Sequence, residues 1–175
     1  MKKIIAFLLA AMMLFALCAC GGDSETSDKN NENESYKPDY GELYYEADGL
    51  KFGIMDYADE VLATLGEPDG TFESESCAYQ GKDYFYYYDG FEIMANEIDG
   101  NMRITGITVA DDTVQNPQGV KIGMDIEEAL SLMGDGYTQS GSVYKYIVGS
   151  TLLMLKAGDD NCVSAIEYAV AANQE

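Results

Sequence analysis

Residues 84–95 read YFYYYDGFEIMA: five aromatic rings in succession, an Asp-Gly pair, then a second apolar run. Asp-Gly between runs of β-forming residues signals a two-residue hairpin turn. Closing the chain there sets Tyr88 opposite Phe91, Tyr86 opposite Ile93 and Tyr84 opposite Ala95, with all six on one face. Phe85, Tyr87, Glu92 and Met94 then take the other face. A turn at Gly149-Ser150 repeats this logic, gathering Tyr144, Tyr146, Val148, Leu153 and Leu155 against Val143, Lys145, Ile147, Leu152, Met154 and Lys156. The two lysines mark the latter set as the wet face. One side of the antiparallel sheet should carry a tyrosine–aliphatic core, and the other a mixed, partly apolar surface. A three-residue turn at Asp99-Gly100-Asn101 would keep Ile107 and Val109 on the core side.

Working outward, the chain echoes itself. GLKFG at 49–53 returns as GVKIG at 119–123, and EVLATLG at 60–66 as EALSLMG at 128–134. GNMRITGITV at 100–109 echoes residues 160–169, with Ile107 over Ile166 after a shift of one residue. Each copy offers one helix. In the first, Asp56 can cap, Tyr57, Val61, Leu62 and Leu65 share a face, and Gly66 with Pro68 ends it. In the second, Asp125 and Glu128 make a capping box, Ile126, Ala129, Leu130 and Met133 form the stripe, and Gly134 stops it. Strands are expected at about 74–80, 82–88, 91–98 and 103–109, then at 137–140, 143–148, 151–157 and 162–170. YGELYYEADG should enter as an edge strand. The expected fold class is therefore α+β: two tandem repeats, each a helical segment packed on a 3–4-stranded antiparallel β-meander. Repeat 1 covers 41–109, a linker 110–118 and repeat 2 119–170, with a tail at 171–175.

The tandem pattern K-[IF]-G…E-x-L-x-x-[LM]-G followed by a meander resembles the superfamily of β-lactamase inhibitory proteins and BamE-type outer-membrane assembly lipoproteins, over residues 49–170. SCAYQGKDYFYYYDGFEI and GVKIGMDIEEAL are also similar to a group of lipoproteins from Gram-positive bacteria. The resemblance implies the fold. It does not carry inhibitory activity, because the loops that contact β-lactamases have no match here.

The start of the chain bears on location. Lys2 and Lys3 precede an unbroken apolar run from Ile4 to Ala19, the pattern of a cleaved secretory leader and too short for a membrane span. Leu17-Cys18-Ala19-Cys20 before Gly21-Gly22 resembles a bacterial lipobox, which implies that Cys20 becomes the lipidated N-terminus. Residues 1–19 read as the signal peptide and 20–40 as a disordered acidic tether, with a reach of about 25 Å if flexible. The expected location is the outer face of the cytoplasmic membrane. Cleavage removes two of the ten basic residues and no acidic one, leaving eight against 31. Such a charge excludes nucleic acid as a partner and leaves membrane attachment to the lipid. Cys77 and Cys162 could pair outside the cytoplasm or stand as two buried thiols.

Chemistry is sparse. The absence of histidine excludes Ser-His and Cys-His nucleophiles and His-ligated metals. Cys77, between Ser76 and Ala78, reads as a small core residue. Asp111-Asp112 and Asp159-Asp160 fit turns and match no calcium loop. No enzyme activity, cofactor or metal is expected. The candidate binding residues are Phe85, Tyr87, Met94, Ile147, Leu152 and Met154, on the outer sheet face. Exposed apolar surface of this kind marks a contact site, unless the tether, the N-terminal strand or sheet curvature covers it. The expected function is a lipid-anchored, non-enzymatic module that binds an envelope or secreted protein or peptide. An inhibitor of a secreted hydrolase is the alternative, resting on the fold resemblance alone.

Overall fold

Turn chemistry sets the hairpins. Asp48-Gly49 and Asp99-Gly100 hold positive φ at both positions, 51° and 78° and then 52° and 75°. That is the combination a tight two-residue hairpin requires, and Asp-Gly supplies it at low cost. The computed structural model describes Gly41 and residues 43–172. The signal peptide, the tether, Cys20 and the last three residues of the tail lie outside the described residues.

The element order is β1 (Tyr45–Ala47), β2 (Leu50–Phe52), α1 (Ala58–Leu65), β3 (Gly70–Glu75), β4 (Lys82–Tyr88), β5 (Phe91–Ile98), β6 (Asn101–Val109), α2 (Ile126–Met133), β7 (Thr138–Ser140), β8 (Val143–Val148), β9 (Thr151–Ala157) and β10 (Val163–Val170). β1 and β2 form a separate hairpin. The other eight strands make one antiparallel sheet in the order β3-β4-β5-β6-β10-β9-β8-β7.

This overturns the expected α+β fold of two tandem helix-plus-meander repeats. Among the described residues the chain is mostly β, with ten strands against two helices of eight residues each. The cause is the pairing of β6 with β10, which sets Ile166 opposite Val109 and Tyr168 opposite Ile107. All four of these side chains are buried. Left unpaired, either strand would be an apolar edge with open backbone groups. Joining them gives one sheet and one core.

That core lies between the sheet and the short helices. Phe91, Ile93 and Ala95 from β5, Ile104 and Ile107 from β6, Leu153 and Leu155 from β9, and Ile166 from β10 all sit in it. Ala58 and Val61 of α1 and Ile126 and Ala129 of α2 join them. The N-terminal hairpin adds aromatic weight, with Tyr45 5.6 Å from Phe52, 5.1 Å from Phe91 and 6.1 Å from Tyr168 between ring centroids. Such ring pairs stabilise beyond the area they bury.

Several local expectations need correction. YGELYYEADG is not an edge strand of the sheet, because its strand Tyr45–Ala47 pairs only with β2. β3 runs over Gly70–Glu75 rather than 74–80, since the Ser76 hydroxyl accepts from Ala78 N and Tyr79 N and bends the chain there. Cys77 is accordingly exposed, not a core residue; Cys162 is half-buried and both thiols are free. Asp56 does not cap α1. Its Oδ2 accepts from Gly53 N at 2.9 Å, bracing the preceding turn, and Tyr57 holds the N-cap position, where its side chain does not cap the helix. Asp125 does cap α2, accepting from Glu127 N and Glu128 N.

The turn after β5 also differs. It has two residues, with Ile98 opposite Asn101, and the extra residue sits as a bulge at Thr105: Met94 pairs with Gly106 but Ala95 pairs with Ile104. Ile107 and Val109 still reach the core. Thr105 and Asn96 are buried, and the Thr105 hydroxyl donates to Asn96 Oδ1.

Candidate functional site

The observed register of the two hairpins sets the outer face. Phe85 pairs with Met94 and Tyr87 with Glu92, while Lys145 pairs with Met154 and Ile147 with Leu152. Directly paired residues share a face, so all six residues singled out in the sequence stand on one side of one sheet. Four of them fall into a single row. Across the strands it runs Phe72, Phe85, Met94, Gly106, Ala169, Leu152, Ile147, each paired with the next.

This row crosses seven strands without a polar residue. At the usual 4.7–4.9 Å strand spacing it extends roughly 29 Å, turning with the sheet's twist. Phe72 and Ile147 mark its ends and are 57% and 41% exposed. Phe72 packs on Phe85 with ring centroids 5.9 Å apart. At the middle the backbone is bare. A Cβ on Gly106 would lie 3.3 Å from both Cβ and Cε of Met94, so the methionine lies over the space that glycine leaves open.

A second row runs beside it: Gly70, Tyr87, Glu92, Thr108, Glu167, Met154, Lys145, Thr138. It holds Tyr87 and Met154 in polar company. Partial burial pushes the Glu92 carboxyl above its usual range. The face therefore pairs an apolar stripe with a flank whose charges are Glu92, Glu167 and Lys145.

The sequence pattern missed three members of the stripe. Phe72 was hidden by misplacement of β3. Gly106 and Ala169 are small and weak in any hydrophobic pattern, yet their alternation with the core residues Ile107 and Tyr168 carried the signal. The acidic pairs serve turns: Asp111 Oδ1 accepts from Thr113 N at 2.8 Å, and Asp160 Oδ1 accepts from Cys162 N at 3.1 Å. The Thr113 bonds hold the Asp111 carboxyl below its usual range. No group of three or more Cys, Asp or Glu placed to hold a metal ion occurs among the described residues.

No family model matches the chain, and no curated protein matches it. Among solved structures it is similar to a cysteine-rich secretory protein from Staphylococcus aureus subsp. aureus Mu50, with a TM-score of 0.45 and 12% identity. The match covers 67% of this chain and 44% of that one, so the chain spans less than half of its neighbour's length. At that distance the likeness bears on neither fold nor activity.

Proposed function

We propose that this chain is a lipid-anchored extracytoplasmic protein that docks a protein or peptide partner on the open face of its sheet and performs no catalysis. The observation that carries the docking is the unbroken apolar row from Phe72 to Ile147, with aromatic and methionine side chains of the kind enriched in interfaces. Anchoring rests on the leader and on Cys20 before Gly21-Gly22.

The test places a photocrosslinking residue at Tyr87 in the full chain on intact cells, followed by mass spectrometry of the adducts. A discrete partner should be captured. Replacing Phe85 and Leu152, both inside the row, by Ser should weaken capture at least about tenfold, the usual effect of removing central anchors. Unchanged capture by a folded double variant would overturn the docking assignment. Cys20→Ser should release the chain from the membrane fraction, and retention there would overturn the anchor.

A further inference from the structure

The eight-stranded sheet ends in β3 on one side and β7 on the other. The Asp89-Gly90 turn fixes what β3 leaves open. A two-residue hairpin makes Tyr88 and Phe91 exchange both main-chain bonds, so Tyr86 and Tyr84, in the same phase along the strand, also bond to β5. The residues between them, Phe85 and Asp83, then turn their main chain to β3, where Phe72 and Ser74 stand opposite. Ser76 N donates to Gly81 O at 3.0 Å in that same alternation. The main-chain N–H and C=O groups of Thr71, Glu73 and Glu75 therefore point off the sheet. No hydrogen bond reaches them among the described residues, and all three residues are exposed.

The opposite edge is blunt. β7 has three residues, and the alternation set by the Gly149-Ser150 turn leaves only Gln139 facing outward. Short edge strands are one way in which proteins prevent pairing with other chains. β3 has six residues and no proline, and its Phe72 is 57% exposed. A hollow of about 270 Å³ opens along the β3–β4 pair, lined by Thr71, Phe72, Glu73, Tyr84, Phe85 and Tyr86. It gives room to a side chain of an added strand. Open main chain beside such a hollow is the arrangement that strand addition uses, the first for affinity and the second for specificity.

Charge selects the occupant. Thr71, Glu73 and Glu75 share one face of β3, with Phe72 and Ser74 on the other. Lys82 stands opposite Glu75 and donates to Glu73, so one cation serves two carboxylates. A second copy is disfavoured, because the two-fold register that engages all three outward residues sets Glu73 against Glu73. The chain as a whole adds to that repulsion, with 31 acidic residues against ten basic. A basic strand meets no such penalty.

We propose that β3 takes up an extended, basic segment of a partner protein as an antiparallel ninth strand, with Lys or Arg opposite Glu73 and Glu75 and an apolar residue in line with Phe72. Each outward residue can exchange a pair of main-chain bonds with the residue opposite. These bonds lie in the plane of the sheet, so the assignment does not depend on docking at the outer face.

The test titrates the full chain calorimetrically with an alternating Lys-Val octapeptide in about 0.15 M salt, where diffuse charge attraction is screened within roughly 8 Å. One saturable site is expected, with hydrogen exchange slowed at the amides of Thr71, Glu73 and Glu75. Methylating the main-chain nitrogens of the lysines removes the donors that face β3 and should weaken binding at least about tenfold. Methylating those of the valines removes donors that face away and should leave binding intact. The two methylated peptides carry the same charge, so equal affinities would overturn strand addition and leave charge attraction alone. Thr71→Pro takes away one outward N–H without touching the β3–β4 bonds and should weaken binding about 3- to 10-fold. Gln139→Pro at the other edge should change nothing, and an equal loss there would count against β3. Should the Thr71 variant fail to fold, the methylated pair still decides on the native chain. A peptide-free dimer in sedimentation, with the same three amides protected, would overturn the proposal and assign the edge to a second copy.

Discussion

Thr105→Val probes the bulge that sets which residues of β6 face outward. Thr105 is 2% exposed and Asn96 0%, so valine fits the space but strips the donor from Asn96 Oδ1. Asn96 Nδ2 still donates to Lys82 O at 3.0 Å and to Asp83, which holds the amide in place and prevents it from turning to another partner. A buried acceptor left bare costs about 1–3 kcal/mol. For a domain of this size each kcal/mol moves Tm by about 3–4 °C, so the variant should melt about 3–12 °C lower by calorimetry. Adding Asn96→Leu removes both partners. The double variant should then lose less than the sum of the singles, with a coupling of about 1 kcal/mol or more. A Thr105→Val change of under 1 °C, or strict additivity, would refute the reasoning and place the bulge under backbone control alone.

Other outcomes follow from single contacts. Asp125→Ala removes two bonds to the first turn of α2 and should cost about 1 kcal/mol in chemical denaturation. Phe72→Ser, at a side chain 57% exposed, should change stability by no more than about 0.5 kcal/mol, so any loss of partner capture reports binding and not unfolding. The Glu92 carboxyl is raised by partial burial, so the folded state holds its proton to higher pH than the unfolded chain does. Its charged form therefore opposes folding above that window, and stability falls as pH rises through it. Glu92→Gln should raise Tm at pH 7 and leave it unchanged at pH 3, below the ordinary glutamate value of about 4.3. An equal rise at both would contradict the assignment.

Local chemistry was legible and long-range pairing was not. Asp89-Gly90 gave the strand register that is observed, Tyr84 opposite Ala95 through Tyr88 opposite Phe91, because turn and alternation agree there. The strands 143–148 and 151–157 were equally plain, each being bounded by glycine or serine turns. Nothing local announces that β6 will pair with β10, since both strands read as ordinary half-buried runs. The fold class changed on that one contact. β3 was misplaced for a different reason. Thr71, Glu73 and Glu75 alternate with Phe72 and Ser74 on an edge that is solvated on both sides, so the segment lacks the apolar pattern by which strands are recognised. Its loss concealed Phe72, the most exposed member of the stripe.

The two sides of β4 do different work. Tyr87 pairs with Glu92 on the outer side, whereas its neighbour Tyr88 pairs with Phe91 on the helix side. Successive residues of a strand point to opposite sides, so the sheet itself separates them. That alternation answers what five adjacent rings are for: Phe85 and Tyr87 serve the outer surface, and Tyr84, Tyr86 and Tyr88 the helix side. It also makes the two roles separable in one experiment. Tyr87→Ser should reduce partner capture with Tm nearly unchanged, whereas Tyr88→Leu, which loses the stack on Phe91 and the bond to Gly66 O, should lower Tm and leave capture by the folded protein intact. If Tyr88→Leu abolished capture while Tm stayed constant, the sheet would be coupling its faces, and the outer side could not be treated as independent.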